Sequence, residues 1–231
     1  MTEVVVLPDL ETLAAEALVR LERAVEATEG VFSLVLAGGS TPDPVHRALA
    51  ARPDWPWWRT VIAFGDERCV PPDRAESNYR AAREALLDHV SPLAVLRVPA
   101  EAPSGERAAD LYAARLAELP GAGADVVCLG MGDDGHTASL FPGTDPTEDR
   151  DVIAVPEPAP GKHRRVTVTE AFLDRAALVL VLVSGAGKAA RLAEVLAGGD
   201  LPLARVLSRR GDLPTVVLAD EAAASALEKR T

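Results

Sequence analysis

Val31-Phe32-Ser33-Leu34-Val35-Leu36-Ala37-Gly38-Gly39-Ser40-Thr41-Pro42 is the stretch on which the fold turns. An apolar run with strand character passes directly into a small-residue turn. A helix then reaches to about Ala51, with Pro42 at its first turn, where proline is well tolerated. Upstream, Glu3 to Leu7 is a predicted strand. Leu10, Leu13, Ala14, Ala17, Leu18, Leu21, Ala24 and Val25 recur at helical spacing behind a capping Asp9. Downstream the same unit repeats. Strands are predicted at Thr60 to Phe64, Ala94 to Val98, Asp125 to Leu129, Ala177 to Val183 and Thr215 to Leu218. Helices are predicted at Ser77 to His89, Ser104 to Leu119, Lys188 to Leu196 and Glu221 to Lys229. Nearly continuous apolar strands alternating with amphipathic helices imply an α/β fold, a mostly parallel sheet with helices on both faces.

The longest helix-free stretch, Pro142 to Thr169, holds Pro156, Pro158, Pro160 and Gly161. The sheet rhythm continues on both sides of it. It therefore reads as an active-site flap or edge hairpin rather than a linker, leaving one domain over 1–231. The 231 residues are 48% apolar and 26% charged, an ordinary globular balance. The first twenty residues include Glu3 and Asp9 and lack a basic start followed by an apolar core. No stretch is long enough to span a membrane, so a cytoplasmic protein is expected. A net charge of −11 opposes nucleic acid and anionic lipid. It repels an anionic substrate too, so any phosphate must be held by a local cluster of donors and cations.

Strand-to-helix loops carry ligands in such sheets, and four loops here are chemically loaded. Gly38-Gly39-Ser40-Thr41 can surround an anion with backbone N–H groups and two hydroxyls, or serve only as a tight turn with a helix cap. Gly65-Asp66-Glu67-Arg68-Cys69-Val70-Pro71-Pro72 packs three charges directly after a strand. They either face a cleft or are solvated, and Ser77 beyond them is a helix cap. The third loop, Gly130 to Gly143, contains Gly-x-Gly-x-x-Gly at 130, 132 and 135. A dinucleotide site is disfavoured there: Asp133 and Asp134 sit where a pyrophosphate would approach, and Pro142 limits the following helix to about two turns. What remains is Asp134 two residues from His136, a pair suited to acid–base work. The fourth cluster is cationic, Lys162-His163-Arg164-Arg165, with Lys188 opening a later helix.

Other residues read as ordinary. His46, His89 and His163 have no partner pattern, and Trp55, Trp57 and Trp58 read as packing. Four histidines without ligand spacing give no metal site. Cys128 reads as a buried reduced thiol. Cys69, beside Arg68, is a candidate for a lowered thiol pKa, though a weak one for a nucleophile.

Taken together, Leu36 to Pro42, Gly65 to Pro71 with Ser77-Asn78-Tyr79, and Leu129 to Gly143 resemble the 6-phosphogluconolactonase family in order and spacing along essentially the whole chain. Glucosamine-6-phosphate deaminases and isomerases share the glycine–serine loop and the Asp-Gly-His. Arg68 and Thr137-Ala138-Ser139-Leu140-Phe141-Pro142 look like the lactonases. One departure is Leu173-Asp174, where the family tends to Leu-Asn.

The resemblance implies a Rossmann-like fold and no cofactor. It implies a phosphate site of Gly39, Ser40, Thr41, Arg165 and Lys188, with His136 as general base. Arg165 is preferred to Arg164 because Val-Thr follows it. On that footing Asp134 orients His136, Arg68 or nearby N–H groups stabilise the oxyanion, and Asp66 acts on substrate or braces the site. The expected partner is a small phosphosugar lactone, bound by a monomer. The alternatives are a deaminase or isomerase of amino-sugar phosphates, and a sugar-phosphate-sensing domain of a transcription regulator. Only about 30 residues precede the Gly-Gly-Ser strand, and the charge is wrong for the sensing domain.

Overall fold

The computed structural model describes residues 2–143 and 149–227. The apolar runs become β1 (Thr2–Leu7), β2 (Phe32–Leu36), β3 (Thr60–Phe64), β5 (Ala94–Leu96), β6 (Val126–Gly130), β9 (Leu178–Val183) and β10 (Thr215–Asp220). These seven form one sheet in the order β1-β10-β9-β6-β2-β3-β5, with every pairing parallel. Every residue of β2, β3 and β10 is buried, which is why these strands read as unbroken apolar runs. Each fully buried Leu, Val, Ile or Phe contributes about 1.5–3 kcal/mol of hydrophobic stabilisation.

The flanking helices are α1 (Leu10–Ala27), α2 (Asp43–Ala50), α3 (Asn78–Ala85), α4 (Gly105–Leu116), α5 (Glu170–Leu173), α6 (Ala189–Leu196) and α7 (Pro202–Arg210). Asp9 caps α1 through the Thr12 N–H, Ser77 caps α3 through the Arg80 N–H, and Ser104 caps α4. The expected helix from Ser77 to His89 ends earlier, at Ala85, and passes into a 3-10 turn at Leu87–His89.

The hairpin expected before Thr169 forms over residues 152–168, in a second sheet rather than the main one, and two other expectations need correction. Its strands β7 (Val152–Val155) and β8 (Arg165–Val168) pair with β4 (Asp66–Arg68) in a separate antiparallel sheet, β4-β8-β7. Gly65 joins the two layers, donating to the Leu36 carbonyl and accepting from the Val168 N–H. The closing helix expected at Glu221 to Lys229 is a series of turns over 221–227, and the last two positions lie outside the described residues. Asp220 ends β10 with a carboxylate shared among the Ala223 N–H, the Gly185 N–H and the Ser184 hydroxyl, which anchors this segment as a turn. Among the described residues 136–143 no helix follows the Gly130–Gly135 loop. Thr137 to Leu140 is a tight turn in which Thr137 Oγ1 donates to the Gly130 carbonyl and Ala138 takes φ 48°. Hydroxyl side chains bonded in this way compete with helical hydrogen bonding.

Among the described residues no helix is long and apolar enough to cross a membrane. One continuous hydrophobic core takes in residues of both sheets, including Val126, Val181 and Leu218 of the large one and Val152, Val166 and Val168 of the small one.

Candidate active site

The strand order reverses between β2 and β6, so the loops leaving their carboxyl ends splay apart and open a crevice. A cavity of about 250 Å³ lies there. It is lined by Gly39, Ser40, Thr41, Asp66, Arg68, His136, Arg165 and Lys188. Those are all the predicted site residues except Asp134, which adjoins the cavity through its contact with His136. Arg165 faces the cleft, whereas Arg164 is exposed and outside it.

The β2 end is built for an anion. Pro42 occupies the N-cap of α2 and no side chain caps that helix, so the Ser40 and Thr41 hydroxyls remain available beside its positive end. The turn is clamped by Asn78, whose side chain fills the space where a Gly38 Cβ would sit, 2.1 Å from Asn78 Oδ1. Asn78 in turn donates to the backbone carbonyl and the Oδ1 of Asp66, both at 3.0 Å.

Across the cleft, the β4–β8 ladder sets Arg68 directly opposite Arg165. Two like charges in register repel one another, a cost that an anion between them removes. Burial, and then the charge of Arg68, push the Arg165 pKa down from its ordinary value. The nearest anion is buried Asp66, 3.7 Å from Arg165 Nη1. The same carboxylate oxygen, Oδ2, accepts from Ser139 Oγ at 2.5 Å, and the Ser139 N–H donates to Thr167 Oγ1. Lys188 reaches the rim from the 3-10 turn Ala186–Lys188 and pairs with Asp133 Oδ1 at 2.5 Å.

On the β6 side, one oxygen of Asp134 meets His136 Nδ1 at 2.5 Å and the His136 N–H at 3.1 Å. With Nδ1–H donating to the carboxylate, Nε2 is left to exchange a proton. Burial acts to raise the Asp134 carboxyl, but the His136 N–H, charge and ring hydrogen bond outweigh it and hold the group below its usual range. The ring packs between the Phe141 ring, with centroids 4.6 Å apart, and the backbone at Gly132. A Cβ on Gly132 would lie 2.1 Å from both Nδ1 and Cε1. A glycine is required there by close approach.

Sequence reasoning gave no role to Ser139, Asn78, Glu67, Phe141 or Asp133. Glu67 is buried with its carboxylate accepting from the Arg68, Asn78 and Tyr79 N–H groups and from Ser77 Oγ, so it braces the cleft wall rather than facing ligand. The four donors near one carboxylate are its signature, invisible until the chain folds back. Two further readings are corrected. Burial raises the Cys69 thiol rather than lowering it, and Trp58 is 75% exposed, unlike buried Trp55. Cys128 is buried with its thiol pushed up to about 12, as an inert core thiol should be. Among the described residues, no group of three or more His, Cys, Asp or Glu side chains is arranged to hold a metal ion.

The family model described as glucosamine-6-phosphate isomerases/6-phosphogluconolactonase matches residues 8–215. The chain belongs to this family. A 6-phosphogluconolactonase from a Nostoc species is 37% identical over 229 residues, covering 90% of this chain and 92% of the relative. One from Rhizobium meliloti is 38% identical, covering 86% and 89%. Among solved structures, the 6-phosphogluconolactonase of Thermotoga maritima superposes with a TM-score of 0.85 at 31% identity, over 95% of this chain and all of that one.

Proposed function

We propose that this chain hydrolyses 6-phospho-D-glucono-1,5-lactone to 6-phosphogluconate, the lactone-opening step of the oxidative pentose phosphate pathway, with His136 as general base. The observation that carries this is that a carboxylate-held imidazole and a set of anion-binding groups line one cavity. The substrate presents the same two features, a phosphate at one end and an electrophilic carbonyl at the other.

Water, deprotonated by His136 Nε2, adds to the lactone carbonyl. The tetrahedral oxyanion is stabilised by Arg68 or adjacent backbone N–H groups. Collapse breaks the bond from the carbonyl carbon to the ring oxygen, and the imidazolium returns its proton to that oxygen. One residue thus serves both half-steps, and the product acid ionises in solvent. Asp134 keeps the proton on Nδ1 and stabilises the imidazolium. Asp66 braces Arg165 through the Ser139 and Asn78 hydrogen bonds. Gly39, Ser40, Thr41, Arg165 and Lys188 hold the phosphate, and this remote binding fixes the carbonyl against the base. The whole chain works as one catalytic unit. A monomeric, cytoplasmic enzyme fits the two unpaired cysteines and the acidic surface. No residue calls for a cofactor in this chemistry.

Freshly generated 6-phosphogluconolactone should be hydrolysed far faster than its spontaneous rate, while glucosamine 6-phosphate should release no ammonia. Deamination without lactone hydrolysis would overturn the assignment in favour of the amino-sugar branch of the family.

A further inference from the structure

Lys188 lines the cleft, yet its ammonium is already engaged. Nζ lies 2.5 Å from Asp133 Oδ1, a residue outside the cavity lining. The two ends of this pair differ in environment. The Lys188 side chain is 23% exposed and the Asp133 side chain 86% exposed. A carboxylate so solvated gains little from an ion pair and is released at little cost. Asp133 is also beside Asp134, whose charge disfavours its own ionisation. Even so, the Lys188 hydrogen bond dominates and holds the Asp133 carboxyl below its ordinary range.

We propose that Asp133 is a displaceable counter-ion for Lys188, occupying the cation in the free enzyme and yielding it to the phosphate of the substrate. The inference rests on the assignment of Lys188 as a phosphate ligand. A phosphate monoester brings nearly two negative charges and three acceptor oxygens, which a single exposed carboxylate cannot match. Ser40, Thr41 and Arg165 line the same cavity as Lys188. A neutral lactone offers Lys188 nothing in exchange and leaves it on Asp133. The exchange therefore costs some affinity for phosphate and for the phosphorylated substrate and leaves binding of an unphosphorylated lactone untouched.

The test is Asp133→Asn, measured by inorganic phosphate binding and by KM and kcat for 6-phosphogluconolactone. Releasing Lys188 should tighten phosphate binding and lower KM roughly two- to five-fold, the range of an exposed ion pair, with kcat unchanged within about twofold. Hydrolysis of unphosphorylated glucono-1,5-lactone should not change. Asp200→Asn serves as the charge-matched control, since Asp200 is exposed and its ion pair is with Arg205, not Lys188. Wild-type phosphate affinity in Asp133→Asn, or equal tightening in Asp200→Asn, would overturn the proposal. Lys188→Ala separates the two levels. If it binds phosphate as wild type does, the phosphate role of Lys188 and the exchange both fall. If it binds weakly while Asp133→Asn is unaltered, only the exchange falls.

Discussion

Replacing Gly132 with alanine adds one methyl group at the place where the backbone touches the base. That methyl would lie 2.1 Å from His136 Nδ1 and Cε1, whereas ordinary contact begins at 3.4 Å, so something must move by about 1.3 Å. The backbone is the less able to give: the Gly132 N–H donates to the His136 carbonyl at 2.8 Å, and the Gly132 carbonyl accepts from the Gly135 N–H at 3.1 Å. The φ of Gly132 is not in the left-handed region, so alanine is not excluded by backbone strain. The imidazole must therefore swing, breaking its 2.5 Å contact with Asp134. A misplacement of about 1 Å in a catalytic group costs on the order of 10²-fold in rate. Gly132→Ala should thus lose about 10² in kcat, measured by stopped-flow acid release. Inorganic phosphate affinity should hold near wild type, because the proposed phosphate ligands sit on other loops, and the melting temperature should move by only a few degrees. A kcat within twofold of wild type would refute the claim that this approach fixes the ring.

Two further outcomes follow from buried polar groups. Asp66→Asn sets an amide N–H₂ against either Ser139 Oγ or Asn78 Nδ2 and removes the charge beside Arg165. It should cost roughly 2–3 kcal/mol in urea unfolding and raise KM more than it lowers kcat. An unchanged midpoint would sink the bracing role. His46 on α2 is buried, and burial pushes its pKa from 6.5 down to about 4, with Asp43 opposing weakly. The unfolded chain then binds the extra proton first. Stability is full above pH 6.5 and lost as pH falls toward 4, by roughly 3 kcal/mol at most. His46→Leu should flatten the melting curve across that window, and an identical pH dependence in the variant would show that His46 is not the cause.

The sheet was legible because its strands are buried on both faces and so appear as apolar runs. The small sheet was not, since β4 is only Asp66-Glu67-Arg68, a charged triplet that pairs with a strand a hundred residues away. The helix α7 escaped notice although Pro202 opens it and Leu203, Val206 and Leu207 follow at helical spacing. Its last buried position is Arg210, which donates to the Leu173, Ala176 and Pro214 carbonyls and looks like a surface charge in sequence. In the site, the residues whose chemistry is intrinsic, an imidazole near a carboxylate and a glycine–hydroxyl turn, stood out at once. Those whose roles come from folding did not. Ser139 matters through Asp66, 73 positions away, and Asp133 through Lys188, 55 positions away.

The most direct test of the central claim compares wild type with His136→Asn on 6-phosphogluconolactone by stopped flow, against the spontaneous rate, with inorganic phosphate affinity measured on both. A fall in kcat of about 10² to 10⁴ with phosphate affinity retained is the predicted result. Undiminished turnover in the variant would contradict the assignment of His136 as the base.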